Sequence, residues 1–171
     1  EATDTKGWTA LLFGAQNGQT EAVNALICAG VNIHHTGNAN TTALHIAAAH
    51  GHAEIVLALL KAGVGVDTED KSGNSALHHA ANKGNQEVVE VLLAAGAEID
   101  KSNKENGITP LILAVRKEHL ETVKLLLHAG ANINTAAPGN HTPLIIATEN
   151  GSTELVQLLT EAGADLEAKN D

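Results

Sequence analysis

One seven-residue pattern returns five times along the chain, and nothing else in the sequence restricts the fold as strongly. It reads TALLFGA at 9–15, TALHIAA at 42–48, SALHHAA at 75–81, TPLILAV at 109–115 and TPLIIAT at 142–148, at intervals of 33, 33, 34 and 33 residues. Each copy is followed by a second apolar segment that ends in glycine: EAVNALICAG, EIVLALLKAG, EVVEVLLAAG, ETVKLLLHAG and ELVQLLTEAG. A unit this short cannot bury its apolar face alone, so neighbouring units must stack and share one continuous core. The spacing predicts a single domain over 1–171, with units at about 4–36, 37–69, 70–103, 104–136 and 137–171.

Within a unit the local chemistry is that of a helix, a turn and a second helix. Thr9, Thr42, Ser75, Thr109 and Thr142 stand where a side-chain oxygen can accept from the free amides of a first turn, and Pro110 and Pro143 suit the first helical position. Nine residues on, Gly18, Gly51, Gly84 and Gly151 can take the left-handed conformation that stops a helix. Glu118 holds that place in the fourth unit, where a β-carbon predicts a strained turn. Apolar residues at helical spacing then run to Gly30, Gly63, Gly96, Gly130 and Gly163. Connecting stretches such as ANINTAAPGN are rich in Asn, Gly and Ala and suit projecting hairpin loops.

On its 33-residue period and its T-P-L-H-x-A-like segments, the chain resembles the ankyrin repeat family. Asp4 and Asp70, with Gly7, Gly73 and Gly107, also fit the D-x-x-G-x-T opening of that family. The departures are local: Asn40 and Asn140 replace the opening glycine, Glu118 the mid-repeat glycine, and the third hairpin is one residue longer. The resemblance implies an all-α solenoid in which hairpin tips and first helices line a concave side and second helices form the back. Five units packed at helix spacing should span roughly 40–50 Å.

Composition narrows the function. Ten basic and twenty acidic side chains give a formal charge of −10, and Arg116 is the one arginine, a balance opposed to general nucleic-acid binding. Cys28 has no second cysteine to pair with, which favours a reducing, cytoplasmic or otherwise intracellular setting. From Ala22 to Ala53 there is no Asp, Glu, Lys or Arg, but Asn24, Asn32, His34, His35 and several glycines interrupt the stretch too often for membrane insertion. The N-terminal EATDTKGW does not read as a signal peptide.

His78 and His79 stand side by side in an apolar setting, as a metal or catalytic pair would. Yet the slot of His45 and His78 is filled by Leu12, Ile112 and Ile145 elsewhere, which marks it as architectural. The family resemblance implies that such a histidine bonds neighbouring loop backbone and ties repeats together. His34, His35, His50 and His52 lack a cysteine or carboxylate cluster to complete a zinc site, so neither metal nor cofactor is expected. There is no phosphate-binding glycine loop, no G-x-S-x-G elbow and no H-E-x-x-H, and paired carboxylates such as Glu87 and Glu90 read as a solvated helix face. The expectation is a protein without enzymatic activity.

What remains is a surface. Ligand choice belongs where units differ while the framework stays constant, and the candidate partner-binding residues are Lys6, Trp8, Thr41, His50, Lys71, Asn74, Lys83, Ile108, Arg116, Lys117, His141 and Glu149. Trp8 and Ile108 occupy equivalent places as apolar anchors, although Trp8 reads equally as part of an N-terminal cap. Lys83, Arg116 and Lys117 form a basic run suited to an acidic segment, or else are solvated cations offsetting helix dipoles. Thr160 stands where Ile27, Leu60, Leu93 and Leu127 recur and predicts the polar outer face of a terminal repeat. The expected function is a monomeric module that holds a protein or peptide partner on its concave face. A second reading makes it the substrate- or target-recruiting block of a larger effector or signalling protein. A phosphorylated metabolite ranks behind both, for want of a convergent pocket.

Overall fold

The computed structural model describes residues 3, 4 and 7–169. Among the described residues ten helices run in five pairs: α1 (Ala10–Asn17) and α2 (Thr20–Cys28), α3 (Ala43–His50) and α4 (Ala53–Lys61), α5 (Ala76–Lys83) and α6 (Gln86–Ala94), α7 (Pro110–Arg116) and α8 (Leu120–His128), α9 (Pro143–Glu149) and α10 (Thr153–Glu161). A 3-10 turn, Asn38–Asn40, sits in the loop before α3. First helices stack on first helices and second on second, so the array has two helical layers. Between them lies one apolar core in which Leu11, Leu44, Leu77 and Leu111 recur at one register and Val23, Val56, Val89 and Val123 at another. Aliphatic side chains suffice because each unit buries only a short face against the next.

Each hairpin closes with the same backbone bond. Asp4 donates to Trp8, Gly37 to Thr41, Asp70 to Asn74, Asn103 to Ile108 and Ala137 to His141, at 2.8–3.0 Å. The residue before the closing one is left-handed in every hairpin, whether it is Gly7, Gly73 and Gly107 or Asn40 and Asn140, at φ 60° and 53°. Asparagine tolerates that region better than other residues with a β-carbon. The extra residue, which falls in the Asn103–Ile108 hairpin between units three and four, therefore widens that loop without changing how it closes. Thr148 and Thr160 of the last unit are exposed, each hydroxyl returning its hydrogen bond to its own helix.

The mid-repeat turn explains why glycine recurs there. The ring of His119 lies 2.7 Å from where a β-carbon on Gly84 would sit, and the ring of His52 is 2.6 Å from the same point on Gly18. Glu118 adopts φ 57°, left-handed as the alignment predicted. The residue facing it by register is Ser152, the smallest in that series. Its strain is thus conformational, roughly 1 kcal/mol. Glu118→Gly should raise stability by a few tenths to about 1 kcal/mol, glycine's freedom in the unfolded chain offsetting part of the gain. Denaturant titration measures this directly, and a destabilised variant would contradict it.

Candidate functional site

The five first helices display successive registers on one face. Phe13, Ile46, His79, Leu113 and Ile146 hold one position, Gln16, Ala49, Asn82, Arg116 and Glu149 the next, and Asn17, His50, Lys83, Lys117 and Asn150 the outermost, which is exposed in every unit. Two histidines of the first helices, His45 and His78, are committed to structure. His45 Nδ1 accepts from the Thr42 amide and hydroxyl at 3.2 and 2.9 Å, which leaves the hydrogen on Nε2 to be donated to Thr68 O at 2.9 Å and Asn74 O at 3.2 Å. His78 repeats the arrangement with Ser75 and donates to Ile108 O at 3.1 Å. Both histidines tie a first helix to hairpin backbone, the role implied by the resemblance. Burial, and then the neighbouring His79, pull His45 down to about 4, and burial likewise lowers His78.

His79 is different. It sits in an otherwise apolar register, half-buried, with Nε2 2.9 Å from Asp70 Oδ2. Burial works to raise Asp70, but hydrogen bonds from the Asn74 amide and from His79 outweigh it and hold the carboxyl below its ordinary value. Asp70 also accepts from Ser72 N, so this pair locks the third hairpin to α5.

Of the sequence candidates, Lys6 lies outside the described residues. Trp8 is half-buried, its ring 5.3 Å from that of Phe13, and the two flank a depression of about 310 Å³ with Gln16 and Asn38 on its rim. Phe13, which sequence reasoning treated only as framework, is 42% exposed. Thr41 and Asn74 are occupied internally: Thr41 donates to Asn38 O, and Asn74 bonds both Asp70 and Asn103. Lys71 is exposed beside the hairpin ribbon, where its amide donates to Ala39 O. His50 is exposed and stacks on His52 at 6.1 Å. His141 and Glu149 face each other at 3.4 Å.

Ile108 departs from expectation. It is 2% exposed and belongs to the core, so its side chain is no surface anchor. Trp8, Thr41, Asn74 and His141 are half-buried at the same register, and an aliphatic side chain there gains by turning fully inward.

The basic run survives as a surface feature. Lys83, Arg116 and Lys117 are exposed and form no ion pair among the described residues, whereas Lys101 and Lys104 both bind Glu69 and Lys124 binds Glu121. Those lysine hydrogen bonds hold Glu69 below its ordinary value, and Glu69 raises Lys101 in return. Arg116 borders a second depression, about 270 Å³, edged by Asn82, Asn106 and His79. A further hollow, about 540 Å³, lies on the other layer between α2 and α4, beside the exposed Cys28.

A set of inter-repeat ties went unnoticed in the sequence. The residue before α4, α6 and α8 reaches back to the end of the first helix of the preceding unit: His52 to Gln16 O, Asn85 to Ala48 O and Ala49 O, His119 to Asn82 O. Apart from Ala48 O, which also accepts from the Gly51 amide, these are carbonyls that a helix C-terminus leaves without an internal partner. The sequence signal was present as an unbroken polar register, Gln19, His52, Asn85, His119 and Ser152.

Among the described residues no three His, Cys, Asp or Glu side chains gather in a metal-binding group, and no helix is long and apolar enough to cross a membrane. No curated protein matches the chain. The model for ankyrin repeats (3 copies) matches residues 11–103 and 96–170. Period, hairpin closure, paired helices and this match agree, and the chain belongs to the ankyrin repeat family.

Proposed function

We propose that the chain is a non-enzymatic, monomeric interaction module that holds a protein or peptide partner on the face built from hairpin tips and first helices. The observation that carries this reading is the contrast between fixed and variable registers. His45 and His78 are spent on backbone and His79 on Asp70, while Trp8 with Phe13 and Lys83, Arg116 and Lys117, unpaired among the described residues, are left toward solvent on one side. In a chain of charge −10 such a local reversal favours an acidic segment of the partner. An exposed lone thiol suits a reducing, intracellular setting.

Affinity capture with this chain, followed by mass spectrometry and repeated with variants of the face, is the test. Trp8→Ala should weaken the captured partner by about 2 kcal/mol with little change in melting temperature, as expected of an interface anchor. A fallen melting temperature with unchanged affinity would instead make Trp8 a cap. Replacing Arg116 and Lys117 by glutamate should slow association and flatten its salt dependence. An association rate that stays the same at low salt would remove the basic run from the site.

A further inference from the structure

The exposed register reads Asn17, His50, Lys83, Lys117, Asn150 along the array, and the register beside it adds Arg116 in unit four and Glu149 in unit five. The face is therefore graded. Its first unit offers an aromatic depression, its third and fourth offer cations without ion-pair partners, and its fifth offers a carboxylate. Adjacent units are separated by one helix-packing distance, about 8–10 Å.

A bound segment can match that gradient only if its own side chains return to one side at the same interval. A polyproline II helix does so every three residues, about 9.3 Å apart. A β-strand returns every second residue, at about 6.6–6.8 Å, and is out of step after one unit. An α-helix returns after two turns, about 10.8 Å, and drifts further with each unit.

We propose, resting on the reading that this face binds a partner segment, that the segment is a polyproline II stretch bearing two acidic residues three apart, opposite Lys83 and Lys117. An apolar residue, proline or leucine, lies roughly six residues from the nearer acid and fills the depression between Trp8 and Phe13. Phe13, exposed where Ile46 and Ile146 are buried, supplies with Trp8 the kind of aromatic surface on which such segments dock. Glu149 fixes the register, because sliding the segment one unit onward would set an acid against a carboxylate.

Fluorescence polarisation with synthetic proline-rich peptides tests this. One peptide carries leucine and two glutamates at the stated spacing, in both chain directions. Others move the glutamates by one residue, which turns them about 120° away, or place the same residues in a helical host. In the better direction, the matched peptide should bind about fivefold tighter than the shifted ones at low salt, with the advantage fading as salt rises. Lys117→Glu should lose that preference and regain it only when the acid farther from the leucine is changed to lysine. Equal affinity for all spacings, tighter binding of the helical host, or rescue by lysine at either acid would each overturn the inference. If captured partners still depended on Trp8 and Arg116, those results would leave the partner-binding reading standing. If no peptide bound and captured partners ignored every variant of this face, both would fall.

Discussion

Acidification from pH 7 to pH 4 should destabilise this protein by about 3 kcal/mol through His45 alone. In the folded chain its proton affinity is held down to about 4, first by burial and next by His79, against an ordinary value of 6.5. The folded state therefore binds this proton more weakly than the unfolded chain does. The stability associated with neutral His45 is complete above pH 6.5 and drains away as the pH falls toward 4. Nδ1 already accepts from Thr42, so a second ring proton would break that contact inside the core. His78, lowered in the same direction, steepens the loss. Glu69 and Asp70 are lowered carboxylates, whose contribution begins to fade as the pH falls below their ordinary values of 4.5 and 3.8, so Glu69 adds to the loss only at the acid end of this range. Urea titrations between pH 7 and pH 4 should show the slope. His45→Leu, which installs the residue found at Leu12, should flatten it whatever the cost at neutral pH. An unchanged slope in that variant would remove His45 as its origin.

Gly73→Ala should be the most damaging single-methyl change in the loops, at about 3 kcal/mol. The residue sits at φ 81°, where a β-carbon is strained by roughly 1–2 kcal/mol. The added carbon would also overlap the backbone nitrogen of Lys104 and lie 2.8 Å from its Cβ and Cγ. Relieving that overlap moves the fourth hairpin away from the third. Lys104 N and Glu105 N would then lose their bonds to Ser72 O, each worth about 1 kcal/mol. Gly107→Ala is the control: its φ is 64°, yet nothing lies within 4 Å of the added carbon, so it should cost only the conformational strain. Equal losses in the two variants, by thermal or denaturant unfolding, would refute the collision.

Period, helix starts and most turn glycines were legible because they rest on local chemistry. Thr9 accepts from Leu12 N, Pro110 opens α7 and Gly18 ends α1, as their neighbours in sequence required. The misreadings concern partners far along the chain. Ile108 lies in a half-buried register, and only its surroundings decide that an aliphatic side chain turns inward. His79 replaces an apolar residue because Asp70 receives it, a pairing that no helical spacing announces. His52, Asn85 and His119 bond carbonyls 36 or 37 residues upstream, visible only once the units are aligned by register. The proposed binding face was legible as variation and no further, since a loop position that varies can equally be spent inside, as Thr41 and Asn74 are.

The backward-reaching side chains also give the array a mechanical direction. His52, Asn85 and His119 fasten each of the first three first helices to the unit that follows, while among the described residues the Ser152 side chain makes no such bond onto α7. The joint between units four and five lacks this rivet. A chain pulled from its two ends should therefore yield first at its C-terminal unit, in a small separate step. The riveted units one to four would then carry the load together and give way at higher force.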